Sequence, residues 1–452
     1  MRAVLIGTYE LGRQPFGLAS PAAWLERDGW SVRCLDLAVE SLDLAAVAAA
    51  QLVAIHLPMH TATRLAVPVA RRVRELNADA HLCFYGLYAG MNEPLLRRLG
   101  ADSIIAGEFE ARIAAVARDV SAGKPRGPTQ LTVDLGRQAF LVPQRRGLPP
   151  LTSYACLQCA TDAPRLVGYT EASRGCRHLC RHCPIVPVYG GRFRIVPREV
   201  VLEDIAQQVA AGATHVTFGD PDFFNGPGHA IPLVEAVHAR FPGLTYDVTI
   251  KVEHLLKHRR HLETLRHTGC LFVTSAVESV DDRVLEIFDK QHTRADFIEA
   301  AALMRRHGLP LVPTFVIFTP WTTAAGYLDL LALIAELDLV DHVPPIQWTI
   351  RLLIPAGSRL LELPEVLALT APFDEVALSH PWRHPDPAVD RLHAEIQDVV
   401  KRALDDKADR RAIFAQVWAT AARRCRSDAP PPVLPEPVAR AAVPYLNEPW
   451  YC

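Results

Sequence analysis

Short apolar runs alternating with helix-period segments organise the chain from its first residues. Ala3–Gly7, Ser31–Leu35, Gln51–Leu57, His81–Gly86 and Asp102–Ala106 read as strands, each a compact apolar run bounded by polar or glycine positions. Between them, Ser20–Asp28, Thr63–Leu76 and Glu93–Leu99 place apolar residues at helical spacing. This rhythm over residues 1–123 predicts a doubly wound, Rossmann-like parallel sheet. Its ligand crevice is expected beyond the strand carboxyl ends, among the loops Gly7–Gly17, His56–Thr63, Gly86–Asn92 and Gly107–Glu110.

The pattern then lapses. Residues 124–165 hold the breaker-rich stretches Lys124-Pro-Arg-Gly-Pro128 and Gly147-Leu-Pro-Pro150 and read as a linker between two domains. Cys156 and Cys159 lie within it, either as two reduced loop thiols or as a metal or redox pair.

From residue 166 the alternation resumes more strictly. Strands are expected at Leu166–Glu171, His215–Gly219, Leu244–Val252, Leu271–Val277, Leu311–Phe318 and Ile346–Leu353. Helices are expected at Arg198–Ala211, Gly228–Arg240, His258–Thr268, Asp282–Phe288, Ala295–His307 and Ala324–Glu336. Six repeats over 166–365 suit a (βα)6 partial TIM barrel with its site at the strand carboxyl ends. Polar residues gather there: Gly219-Asp-Pro-Asp222, Lys251, Glu253, Glu278-Ser279 and Gly357-Ser358. Residues 366–452 form an extension in which Ala388–Arg424 reads as one or two amphipathic helices before a proline-rich segment and a tail ending on Cys452. The fold class is therefore α/β, with a helical C-terminal extension.

Composition narrows the setting. A chain of 452 residues with 50% hydrophobic and 22% charged residues is ordinary for a globular enzyme. The net charge of −2 supplies no basic field for nucleic acid. No run reaches the ~18 apolar residues of a membrane span. The N-terminus reads as an immediate strand, and the ten cysteines are too sparse for a disulfide-stapled domain, so a reducing cytoplasm is expected.

The candidate chemistry sits in Ser173-Arg-Gly-Cys-Arg-His-Leu-Cys-Arg-His-Cys183. Cys176, Cys180 and Cys183 form a CxxxCxxC spacing, which lets one loop wrap a single inorganic centre. A structural zinc site takes four ligands, so three thiols point to a missing partner or to an open coordination position. Arg174, Arg177, His178, Arg181 and His182 flank the thiols and are expected to favour their anionic form.

This loop resembles the cluster motif of radical S-adenosylmethionine (SAM) enzymes. Val277-Glu-Ser279 with Asp282, Leu285 and Lys290, then Phe315-Val-Ile-Phe-Thr-Pro320, then Ile354-Pro-Ala-Gly-Ser358 are similar to that family's fourth-, fifth- and sixth-strand segments, in the same order. The N-terminal domain with Gly107-Glu-Phe-Glu110 resembles the cobalamin-binding domain that precedes the radical core in one subgroup. Tyr9-Glu-Leu-Gly-Arg-Gln-Pro-Phe-Gly17 and Glu448-Pro-Trp-Tyr-Cys452 resemble the subgroup named for a CUAEP or CCAEP tail, where U is selenocysteine. Against that pattern the chain ends at the tail's first cysteine, as it would if an in-frame UGA codon were read as stop.

The resemblance implies that Cys176, Cys180 and Cys183 hold three irons of a 4Fe–4S cluster and that SAM chelates the fourth. It implies that Asp220 faces the SAM amino group, Glu278 and Ser279 the ribose or methionine end, and that His182 packs near adenine. It further implies a small-molecule or peptide substrate and an electron donor such as flavodoxin or ferredoxin. Cobalamin stays open: the DxHxxG lower-ligand motif is absent, and Gly7-Thr-Tyr-Glu-Leu-Gly12 stands in its place. The rival readings are a tRNA methylthiotransferase-like enzyme, and a non-catalytic zinc or redox thiol scaffold.

Overall fold

A computed structural model describes the chain except residues 126, 160–162, 426–429, 435–444 and 448–452. Its first sheet contains β1 (Arg2–Gly7), β2 (Ser31–Asp36), β3 (Leu52–His56), β4 (His81–Tyr85), β5 (Ser103–Gly107) and β6 (Thr132–Asp134). They are all parallel, in the order β2-β1-β3-β4-β5-β6. Every residue of β3 and β5 is buried, as helices on both faces of a parallel sheet require. The crossover helices include Phe16–Arg27, His60–Leu76 and Glu110–Ser121.

The breaker-rich stretch does structural work at both ends. It supplies β6 to the first sheet, then β7 (Cys156–Gln158) to the second. Between these strands Arg145 is buried, with its guanidinium on both carboxylate oxygens of Asp204 at 2.6 and 2.8 Å and on Gln14 Oε1 at 2.8 Å. The strap is thus bonded to both halves of the molecule.

The second sheet adds β8 (Arg165–Thr170), then, beyond a hairpin of β9 (Ser173–Gly175) and β10 (Phe193–Ile195), the strands β11 (His215–Phe218), β12 (Thr245–Thr249), β13 (Cys270–Glu278) and β14 (Leu311–Phe315). β8 and β11–β14 run parallel as a curled half-barrel, with β7 antiparallel at one edge and β15 (Tyr445–Leu446) paired outside it. The strand expected at Ile346–Leu353 is reduced to a 3-10 turn, Pro345–Thr349, and a single parallel bridge, Phe318↔Arg351. Pro344 and Pro345 have no N–H to give a ladder, which accounts for the shortening. The helix expected at His258–Thr268 is broken into Arg259–His261 and Leu262–His267, after a separate Val252–Lys257.

Two C-terminal helices, Pro387–Asp405 and Arg410–Cys425, cover this shortened edge. Leu392, Ile396, Val400, Ile413 and Phe414 are buried in the same core as Trp348, whose ring lies 5.7 Å from that of Phe414. Each such side chain contributes about 1.5–3 kcal/mol by leaving water. No described helix is long and apolar enough to cross a membrane. The tail cysteine Cys452 lies outside the described residues.

The halves meet at a buried charge cluster. Arg174, on β9, grips Glu110 through both terminal nitrogens, and its Nε bonds Glu171 Oε2 at 2.6 Å. Glu108 lies 3.4 Å from the same guanidinium and accepts from Tyr189 Oη at 3.2 Å. Phe16, Phe109 and Phe140 ring the cation at 5.2–5.4 Å. Burial alone raises the Glu110 carboxyl, yet Arg174, Ser20 and Gln138 outweigh it and hold it at about 2. Arg174→Met is expected to strand these carboxylates and cost about 3–5 kcal/mol, against under about 1 kcal/mol for Arg118→Ala at the exposed Asp28 pair. Urea midpoints of the two variants check this, and equal shifts contradict it.

Candidate functional site

The cysteine loop hangs from the β9–β10 hairpin. Gly175 adopts φ +74°, and a Cβ there would lie 2.4 Å from the Arg192 carbonyl oxygen and 2.5 Å from the Tyr189 ring, so only glycine fits. The loop is then fastened to the ends of several barrel segments. Asn225, after β11, accepts from the Arg177 N–H at 3.2 Å, and its own carbonyl accepts from the Arg177 guanidinium at 3.1 Å. The Arg181 N–H donates to the Phe288 carbonyl at 2.9 Å. Ser358 donates to the Arg181 carbonyl at 3.1 Å, and Arg359 to that of Leu179 at 2.8 Å.

Cys176 and Cys180 are buried, Cys183 is half-buried, and none is in a disulfide. Burial pushes the Cys183 thiol up to about 12 and raises that of Cys176. The expectation that flanking basic residues favour thiolates is not met by the arginines and histidines of the loop. Arg174 is spent on carboxylates, Arg177 and Arg181 on backbone carbonyls, His182 on Glu278. Two lysines from elsewhere face the thiols instead. Lys251 Nζ lies 3.9 Å from Cys180 Sγ, and the Lys290 ammonium, against the penalty of burial, is held on by Glu278, Cys180 and Cys183.

The other predicted residues group around this loop. Glu278 ends β13 at φ +68°, a left-handed conformation that a non-glycine residue adopts at a cost of about 1–3 kcal/mol. Its Oε1 meets His182 Nε2 at 3.2 Å and Lys290 Nζ at 3.4 Å. Burial raises this carboxyl, but Lys290 and His182 prevail and hold it at about 2. The His182 ring stacks on Phe288 at 4.4 Å, leaving its Nδ1 buried without a partner. Ser279 caps the following turn, accepting from the Asp281 N–H at 3.1 Å. Asp220 is buried, with its oxygens on the Ala172 N–H at 2.9 Å and the Ser173 hydroxyl at 2.5 Å, directly below the cysteine loop. Asn225 was not among the residues singled out in the sequence, and its position after Gly219-Asp-Pro-Asp222 is the signal that places it at a strand end.

A second feature opens on the other side of the hairpin. A cavity of about 230 Å³ is lined by Glu10, Gly17, His56, Gly86, Gly107 and Arg174. All four crevice loops of the first sheet thus contribute to it. His56 does not present a free ring: it meets Glu10 Oε1 at 2.7 Å, stacks on Tyr85 at 5.0 Å and fills the space beside Gly17. His60 is bonded to the Ala377 carbonyl at 2.7 Å. A larger groove of about 830 Å³, between the helix His60–Leu76 and Glu375–Leu378, contains none of these residues.

Residues 170–325 match the Radical SAM superfamily. The chain carries a radical SAM domain. Among curated relatives, tRNA-2-methylthio-N(6)-dimethylallyladenosine synthase of Moorella thermoacetica is 26% identical over 184 residues, 38% of this chain and 40% of that protein. The chain thus spans about two-fifths of the length of the first such relatives. The whole-chain fold is similar to the radical SAM methyltransferase TsrM of Kitasatospora setae, solved with cobalamin and a [4Fe-4S] cluster, at TM-score 0.60 and 17% identity over 75% of this chain and 73% of that one. It is also similar to the cobalamin-dependent radical enzyme OxsB, at TM-score 0.66 and 12% identity over 89% of this chain and 67% of that one. The half-barrel following a doubly wound domain is common to all three folds. Within the radical SAM domain, the three thiols lie on the loop after its first parallel strand, β8.

Burial holds the Asp220 carboxyl up at about 7, with the Ser173 hydroxyl and Ala172 N–H opposing it. An ordinary carboxyl titrates near 4, so the fold gains from protonation below about pH 4 and loses that gain as pH rises towards 7. Wild-type protein is therefore expected to lose stability relative to Asp220→Asn across that window, by ~1.4 kcal/mol per unit of pKa difference at most. Urea titrations of cluster-free protein from acid to neutral pH check this, and a pH-independent difference contradicts it.

Proposed function

We propose that the chain is a radical SAM enzyme in which Cys176, Cys180 and Cys183 hold a 4Fe–4S cluster. The observation that carries this is the convergence of three undisulfided thiols with two buried lysines at one end of the half-barrel. The fit is chemical. The Cys176 and Cys183 thiols, raised by burial, stay protonated until a metal takes the thiolate, and Lys251 and Lys290 then face the resulting negative charge. Three ligands leave one iron open, and the orphaned polar atoms His182 Nδ1 and Asn225 Nδ2 sit beside the loop. Such a cluster with SAM on its open iron supplies one-electron cleavage of the S–C5′ bond and a 5′-deoxyadenosyl radical that takes a substrate hydrogen.

The protein's own part is positioning and exclusion of water. The Glu278–His182–Lys290 group presents a fixed carboxylate and an imidazole edge beside the thiols and serves as the SAM-facing wall. Asp220 locks Ala172 and Ser173, the residues from which the loop departs. Ser279 shapes the turn after Glu278. A flavodoxin- or ferredoxin-type donor supplies the electron, and the substrate is a small molecule or peptide. The methylthiotransferase reading shares the radical domain, but the net charge of −2 supplies no overall basic field to support it.

The crevice between the halves is the place for a corrinoid, and methyl or group transfer is the reaction class this adds. Gly86 and Gly107 leave its floor without side chains. The present volume, about 230 Å³, is below the ~300–1,000 Å³ of usual small-molecule pockets, so a corrin requires its lining loops to withdraw. With His60 on the Ala377 carbonyl and the His56 ring packed against Glu10 and Tyr85, neither imidazole would be offered to the cobalt of a corrinoid.

Anaerobically reconstituted protein is expected to be brown and to release 5′-deoxyadenosine from SAM, and Cys176→Ala to lose both properties. Colourless protein holding zinc on the thiols contradicts the proposal. Loaded with cob(II)inamide, which brings no nitrogen base, the protein is expected to give a paramagnetic resonance signal without axial nitrogen splitting. A nitrogen-split signal assigns a histidine ligand and contradicts that reading.

A further inference from the structure

The cysteine loop carries a second set of ligand-type side chains that the proposed reaction leaves unused. His178, between Cys176 and Cys180, faces two carboxylates. Its Nε2 lies 3.5 Å from Asp222 Oδ2, and its Nδ1 lies 3.6 Å from Glu253 Oε2. His254 approaches the same Asp222 oxygen with Nδ1 at 2.6 Å, and the two imidazole centroids are 4.7 Å apart. Asp222 is fully buried, and its other oxygen is occupied by the Phe224 N–H at 3.2 Å.

None of these three approaches is an aligned hydrogen bond. His178 Nε2, His254 Nδ1, Asp222 Oδ2 and Glu253 Oε2 are all buried and have no aligned hydrogen bond. The four atoms face one another, and burial of the Asp222 carboxyl is outweighed by the two imidazoles, which hold it at about 2. The contrast within the same sheet is His215, whose Nε2 bonds Asp247 Oδ1 at 2.9 Å while Thr245 takes its Nδ1 at 2.9 Å. That pair is a completed hydrogen-bond network. The His178 group is not.

One ligand atom from each of His178, Glu253 and His254 falls within 4.8 Å of the other two. Around a tetrahedral ion with bonds of about 2.0–2.2 Å, ligand atoms stand about 3.3–3.6 Å apart, so the 3.6 Å between His178 and Glu253 already suits a shared ion. We propose that His178, Glu253 and His254 bind a divalent transition-metal ion, zinc by their nitrogen–oxygen donor set, with Asp222 orienting the two imidazoles. Carboxylates held against ligand histidines are the usual support of such sites. The ion's charge balances Asp222 and Glu253, and Lys251, now 3.7 Å from Glu253, remains beside Cys180. The ion ties the cysteine loop to the segment after β12, because Glu253 and His254 open the helix Val252–Lys257. It uses no thiol as a ligand.

Equilibrium dialysis of iron–sulfur-loaded protein against buffered Zn²⁺, with zinc and iron counted per chain by mass spectrometry, tests this. One zinc beyond the iron complement is expected in wild-type protein. Glu253→Gln, which keeps the shape of a partly exposed side chain, and His254→Gln are each expected to weaken zinc binding at least ~10-fold with iron unchanged, and Asp222→Asn ~10-fold. No zinc in wild type, or zinc retained equally by all three variants, overturns the proposal. Zinc bound without iron, and lost in Glu253→Gln and His254→Gln, leaves this site standing and defeats the cluster instead.

Discussion

One guanidinium holds the molecule in working order. Arg174 is two residues from Cys176, yet its charge is spent on Glu108 and Glu110 of the first domain and on Glu171 of the second. A cation enclosed this completely is tolerable only with its carboxylates in place, so the two sheets and the base of the cysteine loop share one register. The aromatic ring of Phe16, Phe109 and Phe140 excludes water from the same spot.

From that anchor the rest follows by short connections. Asp220 fixes the residues just before Arg174, and Gly175 makes the turn that a side chain forbids. The loop then runs past Asn225, Lys251, Phe288 and Ser358, so four separate segments of the half-barrel define where the thiols stand. The strained Glu278 belongs to the same frame, since its left-handed backbone aims the carboxylate at both His182 and Lys290. Strain at this point is a positional device, offset by the Lys290 ion pair and the His182 hydrogen bond.

Much of this was legible in the residues, and the reasons differ by element. Parallel strands buried on both faces produce apolar runs such as Leu52–His56 and Ser103–Gly107, which stand out without any structure. The three cysteines were legible because one loop must supply all three. The strand expected at Ile346–Leu353 was misleading, because its apolar pattern says nothing of the N–H groups that Pro344 and Pro345 lack. The electrostatics were also misread. Proximity in sequence put Arg177 and Arg181 beside the thiols, whereas folding hands them to backbone carbonyls and brings in Lys251 and Lys290 from distant segments. Asn225 and the Arg174 cluster depend on contacts between segments far apart in the chain, which periodicity does not encode.

The central claim is that the three thiols leave one iron open for SAM. It is tested most directly by the paramagnetic resonance spectrum of the reduced, reconstituted protein before and after SAM is added. A change in the g-values of the reduced cluster on addition of SAM is the result expected for direct chelation. A spectrum identical with and without saturating SAM would contradict it.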